Sequence, residues 1–349
     1  ARAELEECLE LAPRHLPALT CLGSCLVRLR QYDEAEHVLD MAAAMSPGRA
    51  DVLLTRAAVH VQRGFPERAL PLLAQAGQAG GGRKVMLQQA LCFYKTGRLA
   101  KAAGFLSRLL LQEPRLGAAR EMLALVFIRQ GRFHEAHDQL SRVGRRGAVG
   151  ARCRKYSQIV RRVLRGQISE GAAVAFFQAQ ALERAALDER ASLLAEAQGN
   201  DFPEAMVELA LVKLKSDKKE ALRLLERACS SPLASGDAHF RMGMVLHDLG
   251  KTERAISSLQ KACEIDATNP EARVRLGVLL ASSGNSDEAL RHFRRAIHLS
   301  PTDGRAYAQA GAILAKAGQR ESAQDYLEEA MLLNPFDSDS SRLLNSLEN

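Results

Sequence analysis

Tryptophan is absent from the 349 residues, and phenylalanine and tyrosine bring the aromatic share to only 5%. Any core is therefore assembled from smaller side chains, and alanine, leucine and glycine fill the repeating positions described below. No stretch reaches 18 uncharged apolar residues, which excludes a membrane-spanning helix. Seven cysteines, an odd number spread thinly, do not make a disulfide framework and point to a reducing compartment, with cytoplasmic placement the expectation. The opening run ARAELEECLE has neither a basic n-region nor an apolar h-region. Disorder is excluded by a 47% hydrophobic content with an ordinary 26% of charged residues.

What the sequence does contain is a period. Gly243, Gly277 and Gly311 are separated by 34 residues, as are Ala255, Ala289 and Ala323. Leu259, Phe293 and Leu327 keep the same step, and so do Ala262, Ala296 and Ala330. With units starting at 236, 270 and 304, position 8 is glycine each time, and position 15 is Gly250, Gly284 or Gly318. The frame extends upstream. A start at 16 finds Leu22-Gly23, Ala35, Leu39, Ala42 and Pro47, and a start at 50 finds Ala57, Gly64, Ala69, Leu73 and Ala76. Starts at 83 and 117 find Ala90, Gly97, Ala102 and Leu106, then Ala124, Gly131, Ala136 and Leu140. A start at 202 keeps Ala221, Leu225 and Ala228, although Leu209 and Ser216 replace the two glycines.

These columns resemble the tetratricopeptide repeat, with its L-G, A-x₃-F and proline signature. The resemblance implies an all-α fold, an α-solenoid (right-handed superhelix) of antiparallel helix pairs with a 34-residue repeat. One such pair cannot bury its apolar face alone and must stack on its neighbours. Small residues at positions 8, 20 and 27 let helix axes approach, and Leu or Phe at position 24 fills the gap between them. Glycine at position 15 ends the first helix of a pair. Ser46-Pro47, Asn269-Pro270, Ser300-Pro301 and Asn334-Pro335 end the second, because the residue before proline avoids α geometry.

The expected organisation is a partial repeat at 1–15 (second helix only), four repeats over 16–150, a degenerate repeat plus extra helical insertion over 151–201, four repeats over 202–337, and a capping helix over 338–349. The mid-register start suggests a piece of a larger protein. Between Ala172 and Gln198 there is neither glycine nor proline. That stretch reads either as one long helix or as two helices broken near Leu187-Asp188. The junction also carries charge. From Gln139 to Ser169 lie Arg142, Arg145, Arg146, Arg152, Arg154, Lys155, Arg161, Arg162 and Arg165, with no Asp or Glu. Without them the chain holds 39 basic and 41 acidic residues, so its excess of +7 belongs to this one segment.

Clustered arginines attract acidic or phosphate-rich partners by charge and by paired hydrogen bonds. The plainer alternative is a solvated helix face. Only Tyr156 interrupts the basic run, so the base-stacking expected of nucleic-acid binders is missing and protein is the expected partner. The family resemblance places the partner-binding groove on the first helices of the pairs. There Arg241 and Arg275 both fall at position 6, Gln309 follows in the same column, and His247 lies at position 12. These four could hold an extended or helical partner segment, acidic ones included, or the two arginines could pair with Asp237 and Glu271 one turn away. The chaperone-tail clamp of the family is not matched, since position 5 reads Thr20, Leu54, Leu87 and Glu121 and no asparagine occupies position 9. An asparagine ladder at position 6 is absent too.

Catalytic motifs fail on context. The run from Gly77 to Lys84 lacks phosphate-loop spacing and follows a helix. His134-Glu135-Ala136-His137 is one residue short of a zinc-binding H-E-x-x-H. Cys21 and Cys25 share a helical face without a second ligand pair, and no nucleophile, base and orienting group can be assembled. No cofactor and no metal are expected. The expected function is a non-catalytic scaffold or adaptor that binds peptide or helical segments in its groove, as a subunit of a larger assembly. The alternative is the substrate-recruiting region of a larger enzyme.

Overall fold

The computed structural model describes residues 2–144, 147–182, 186–198 and 202–348. Among these residues there is no strand. After α1 (Arg2–Leu11) come four packed pairs: α2 (Leu16–Arg28) with α3 (Tyr32–Met45), α4 (Ala50–Gln62) with α5 (Pro66–Gln78), α6 (Gly82–Lys95) with α7 (Leu99–Gln112), and α8 (Gly117–Arg129) with α9 (Phe133–Ser141). The junction supplies α10 (Gly147–Leu164), α11 (Glu170–Ala181) and α12 (Leu187–Ala197). Four further pairs follow: α13 (Pro203–Lys213) with α14 (Lys218–Ser230), α15 (Gly236–Asp248) with α16 (Thr252–Ile265), α17 (Pro270–Ser282) with α18 (Ser286–Leu299), and α19 (Gly304–Lys316) with α20 (Arg320–Leu333). Helix α21 (Ser338–Glu348) rests on α20 and α19. The chain divides into two compact units, residues 1–200 and 201–349. Each is an α-solenoid of helix pairs.

The sequence columns have direct steric causes. A Cβ added at Gly277 would lie 2.7 Å from the Phe293 ring, and one at Gly243 would lie 2.7 Å from Leu259. Position 8 is thus where the large side chain of position 24 lies against the backbone of the first helix, and a small residue there sets the spacing of the pair. The stop after each first helix has its own signature. Gly64, Gly97, Gly131, Gly250, Gly284 and Gly318 all adopt positive φ, between 72° and 87°. In the first pair the same place is taken by Arg30 at φ 63°, strained for a residue with a Cβ. Caps begin several first helices: Asn269 Oδ1 accepts the Ala272 N–H at 3.1 Å, and Pro270 occupies the first turn.

Stacking follows one rule within each unit. The first helix of a pair rests on the second helix of the preceding pair, as α6 does on α5 and α17 on α16. First helices also touch each other from pair to pair, as α2 does α4 and α17 does α19, so they form a row on one side. Helix α10 continues this row, resting on α9 and α8. It begins at Gly147, ahead of residue 151, where the degenerate repeat is expected to open.

The regular pairing then stops. Helix α11 packs mainly on α12 and α8 and only lightly on α10. The stretch 172–198 is therefore two helices and not one. Leu182, just past α11, turns extended at φ −71° and ψ 146° with no glycine or proline to announce it.

Candidate partner-binding groove

The row of first helices in residues 201–349 carries the candidate groove residues. Position 6 projects Arg241 from α15 and Arg275 from α17, one helical turn from the acidic residues at position 2. Arg241 Nε lies 3.6 Å from Asp237 Oδ1, and Arg275 Nε donates to Glu271 Oε1 at 3.0 Å. Both arginines are thus engaged by their own helices. The pairing continues to the next helix: Arg305 Nη2 donates to Glu271 Oε2 at 2.6 Å and to Asp303 Oδ2 at 2.7 Å. Burial works against ionisation of Glu271, but the hydrogen bonds from Arg305 and Arg275 win and hold its carboxyl below the usual carboxylate range. The hydrogen bond from Arg305 lowers Asp303 likewise, and Asp303 and Glu271 raise Arg305.

The result is a rail of two cations and two anions, Arg275, Glu271, Arg305 and Asp303, across α17 and α19, with the Arg241–Asp237 pair standing separately on α15. Beside it lie apolar side chains of the same helices: Phe240, buried and 5.5 Å from the Arg241 guanidinium carbon, then Met244 and Val278, the last 36% exposed. Gln309 and His247 are exposed along the row. Gln309 sits where the column of arginines ends. The i, i+4 pairs were readable from spacing. The Arg305 bridge was missed, because its partner Glu271 lies one whole repeat away; the signal available was Asp303-Gly304-Arg305, where the Asp303 carboxylate also caps α19 by accepting the Arg305 N–H.

The basic junction divides in three. Arg145 and Arg146 lie outside the described residues. Arg142 and Arg152 are used internally, Arg142 Nε donating to Asp138 Oδ1 at 3.0 Å. Arg152 makes a paired contact to Glu121, Nε to Oε1 at 2.6 Å and Nη2 to Oε2 at 2.8 Å. The Glu121 side chain is 9% exposed, and Arg152 closes over it from α10. Lys155 and Arg165 are exposed, and so is Arg161, whose Nε donates to the Ser157 carbonyl at 3.2 Å. Arg154 is exposed and Arg162 half-buried. The segment that lacks acids in sequence thus takes its counter-charges from Glu121 and Asp138, just outside it.

Among the described residues no group of three or more His, Cys, Asp and Glu side chains is placed to hold a metal ion. Glu135 pairs with Arg132 at 2.9 Å. Burial pushes the thiols of Cys92 and Cys153 up to about 11, which keeps them protonated and unreactive near neutral pH. No described helix is long and apolar enough to cross a membrane.

A family model described as TPR repeat matches residues 243–284, and two described as tetratricopeptide repeat match 280–347 and 54–119. Among solved structures, MamA is 20% identical over 44% of this chain and 91% of its own, with a TM-score of 0.40. YrrB, described as a TPR protein with an unusual peptide-binding site, is 27% identical over 49% of this chain and 90% of its own, with a TM-score of 0.43. The first TPR of Spaghetti, bound to an HSP90 peptide, is 19% identical over 33% of this chain and 90% of its own, with a TM-score of 0.32. No curated protein matches the chain.

Proposed function

The chain is a tetratricopeptide-repeat protein, and from that premise we propose that it is a non-catalytic scaffold whose first-helix row in residues 201–349 receives a segment of a partner protein. The observation that supports this most is the bridge from Arg305 to Glu271 and on to Arg275. It joins two successive first helices, α17 and α19, into one ordered polar edge, one turn along α17 from the exposed Val278. Hydrogen-bonding groups fixed before a partner arrives lose little freedom when it binds.

The balance of charge along this edge refines the kind of partner. Three arginines face three carboxylates, so the edge offers a purely acidic peptide little net attraction. It suits an extended or helical segment with an apolar stripe and a polar flank, which the rail orients while Met244 and Val278 take the apolar side chains. Membership of a larger assembly follows naturally from such a role, and the partner is a protein.

Val278 offers the test. A photo-crosslinking phenylalanine analogue at this place, in the full chain, should label a partner in extracts. The same analogue in a chain carrying Arg241→Glu and Arg275→Glu should label it several-fold less, with helicity unchanged and melting lowered only slightly by the new like-charge pairs with Asp237 and Glu271. Equal labelling by the two chains removes the groove reading.

A further inference from the structure

The first-helix row of residues 1–200 is not open along its length. In the regular stack, second helices lie on one side of the unit and first helices on the other. Helix α11 touches α8 and α10, both first helices, and makes no comparable contact with α9. It therefore lies over the first-helix side, where the proposed groove lies in the other unit.

The side chains agree with that placement. A second helix elsewhere buries one stripe, as α18 does with Ala289, Phe293 and Ala296. Helix α11 instead buries Ala172, Ala173, Ala175, Phe176, Phe177 and Ala179, a face of about 200° at about 100° per residue and much wider than a stripe. Gly171, Val174 and Gln178 on the remaining side keep contact with solvent. Phe177 meets Tyr156 of α10 edge-on, ring centroids 5.3 Å apart. Ala181, at the far end, packs on the cluster that holds Ala90 and Tyr94 of α6 with Leu123 of α8. Tyr94 stands at position 12 and is 6% exposed, whereas the same column in residues 201–349 presents His247 to solvent. Burial lifts the Tyr94 phenol to about 12 even with the Arg129 guanidinium 4.8 Å from its ring centre.

We propose that the first-helix face across α6, α8 and α10 is a helix-binding surface occupied by the chain's own α11, which acts as an intramolecular ligand and must be displaced before a partner helix can bind there. Helices α2 to α10 stack by the ordinary rule without help from α11. The close partner of α11 is α12, and its contact with α10 is slight. The occupant also defines what fits: a helix rich in alanine, with adjacent aromatic rings like Phe176 and Phe177, whose centroids lie 5.3 Å apart. This inference is independent of the role assigned to Arg241 and Arg275.

The test compares the full chain with one carrying Phe176→Glu and Phe177→Glu. The probe is a fluorescent peptide of residues 167–182 with a solubilising lysine tail, and hydrogen exchange is followed in parallel. With α11 seated, the competent state is a minor fraction, so the unaltered chain should bind the peptide at least about tenfold more weakly than the variant. In the variant, amides of α11 and α12 should exchange faster while those of α2 to α9 keep their protection. Three outcomes overturn the proposal: protection lost across α6 to α9 or a variant that does not fold, which makes α11 an integral part of the core; a folded variant that ignores the peptide; or equal binding by both chains.

Discussion

Two histidines show how single residues tie this fold to pH. His239 on α15 is 8% exposed, and burial, aided by Lys261, holds its imidazole below the ordinary value. His292 on α18 is lowered in the same way, by burial first and then by Arg273, against a weaker pull from Glu288 3.9 Å away. Its Nδ1 is buried with no hydrogen-bond partner among the described residues. The unfolded chain takes up protons at these sites near the usual value and the folded chain resists them, so the unfolded state binds more protons as pH falls. The contribution to stability is full above the unfolded value and is lost as pH falls through the lowered folded values. Melting temperature should therefore drop between about pH 7 and pH 5, before most carboxylates titrate. Replacing both histidines with glutamine should shrink that drop, and an unchanged drop assigns the effect to other groups. Neither position is marked in the sequence as a buried histidine, since burial here depends on how neighbouring pairs stack.

At the scale of the helix pair, Gly277 and Phe293 make the most sensitive contact. Alanine is the better helix former, by about 1 kcal/mol, yet its Cβ would meet the Phe293 ring at 2.7 Å. Overpacking of this kind costs about 1–3 kcal/mol, so Gly277→Ala should lower the stability of residues 201–349 in denaturant titration. Adding Phe293→Leu should recover part of the loss, because Ala57 with Leu73 and Ala90 with Leu106 already combine those residue types in the same places. A variant as stable as the parent, or no recovery, contradicts this account. Since each pair contacts only its neighbours, hydrogen exchange in residues 1–200 should not change. This contact was legible in the sequence because it repeats: glycine and a large side chain, 16 positions apart, recur from unit to unit. Helix α11 was not legible in the same way. Its place depends on a fold-back that happens once, and the period has no column for it. The one available signal was an apolar character without a stripe, in Ala172 to Phe177.

At the scale of the molecule, the charge excess of +7 is concentrated where the repeat fails. The sequence marked the segment correctly as basic but could not say which charges were already used. Arg152 is one that is used, and removing it would strand Glu121, so it is a poor residue with which to test surface binding. Lys155, Arg161 and Arg165 are the exposed positions to change. Reversing all three to glutamate should abolish association with a polyanionic peptide such as polyglutamate at low salt. With the unaltered chain that association should fade as ionic strength approaches about 1 M, where the screening length is about 3 Å. Equal retention by both chains would show that the segment is only a solvated surface.

The bridge between α17 and α19 has a further consequence, which concerns length. Neighbouring helix axes lie about 8–10 Å apart, so the four first helices from α13 to α19 span roughly 25–30 Å. At about 3.3 Å per residue, some eight residues of extended chain cover that distance, and a helix needs about eighteen at 1.5 Å each. Arg241, Arg275 and Arg305 stand like graduations along the span. The three marks lie on α15, α17 and α19, two spacings or roughly 16–20 Å from first to last, so a segment of fewer than about six extended residues would meet some of them but not all. In the proposed role the row would act as a ruler, selecting partners by how far they reach as well as by what they carry.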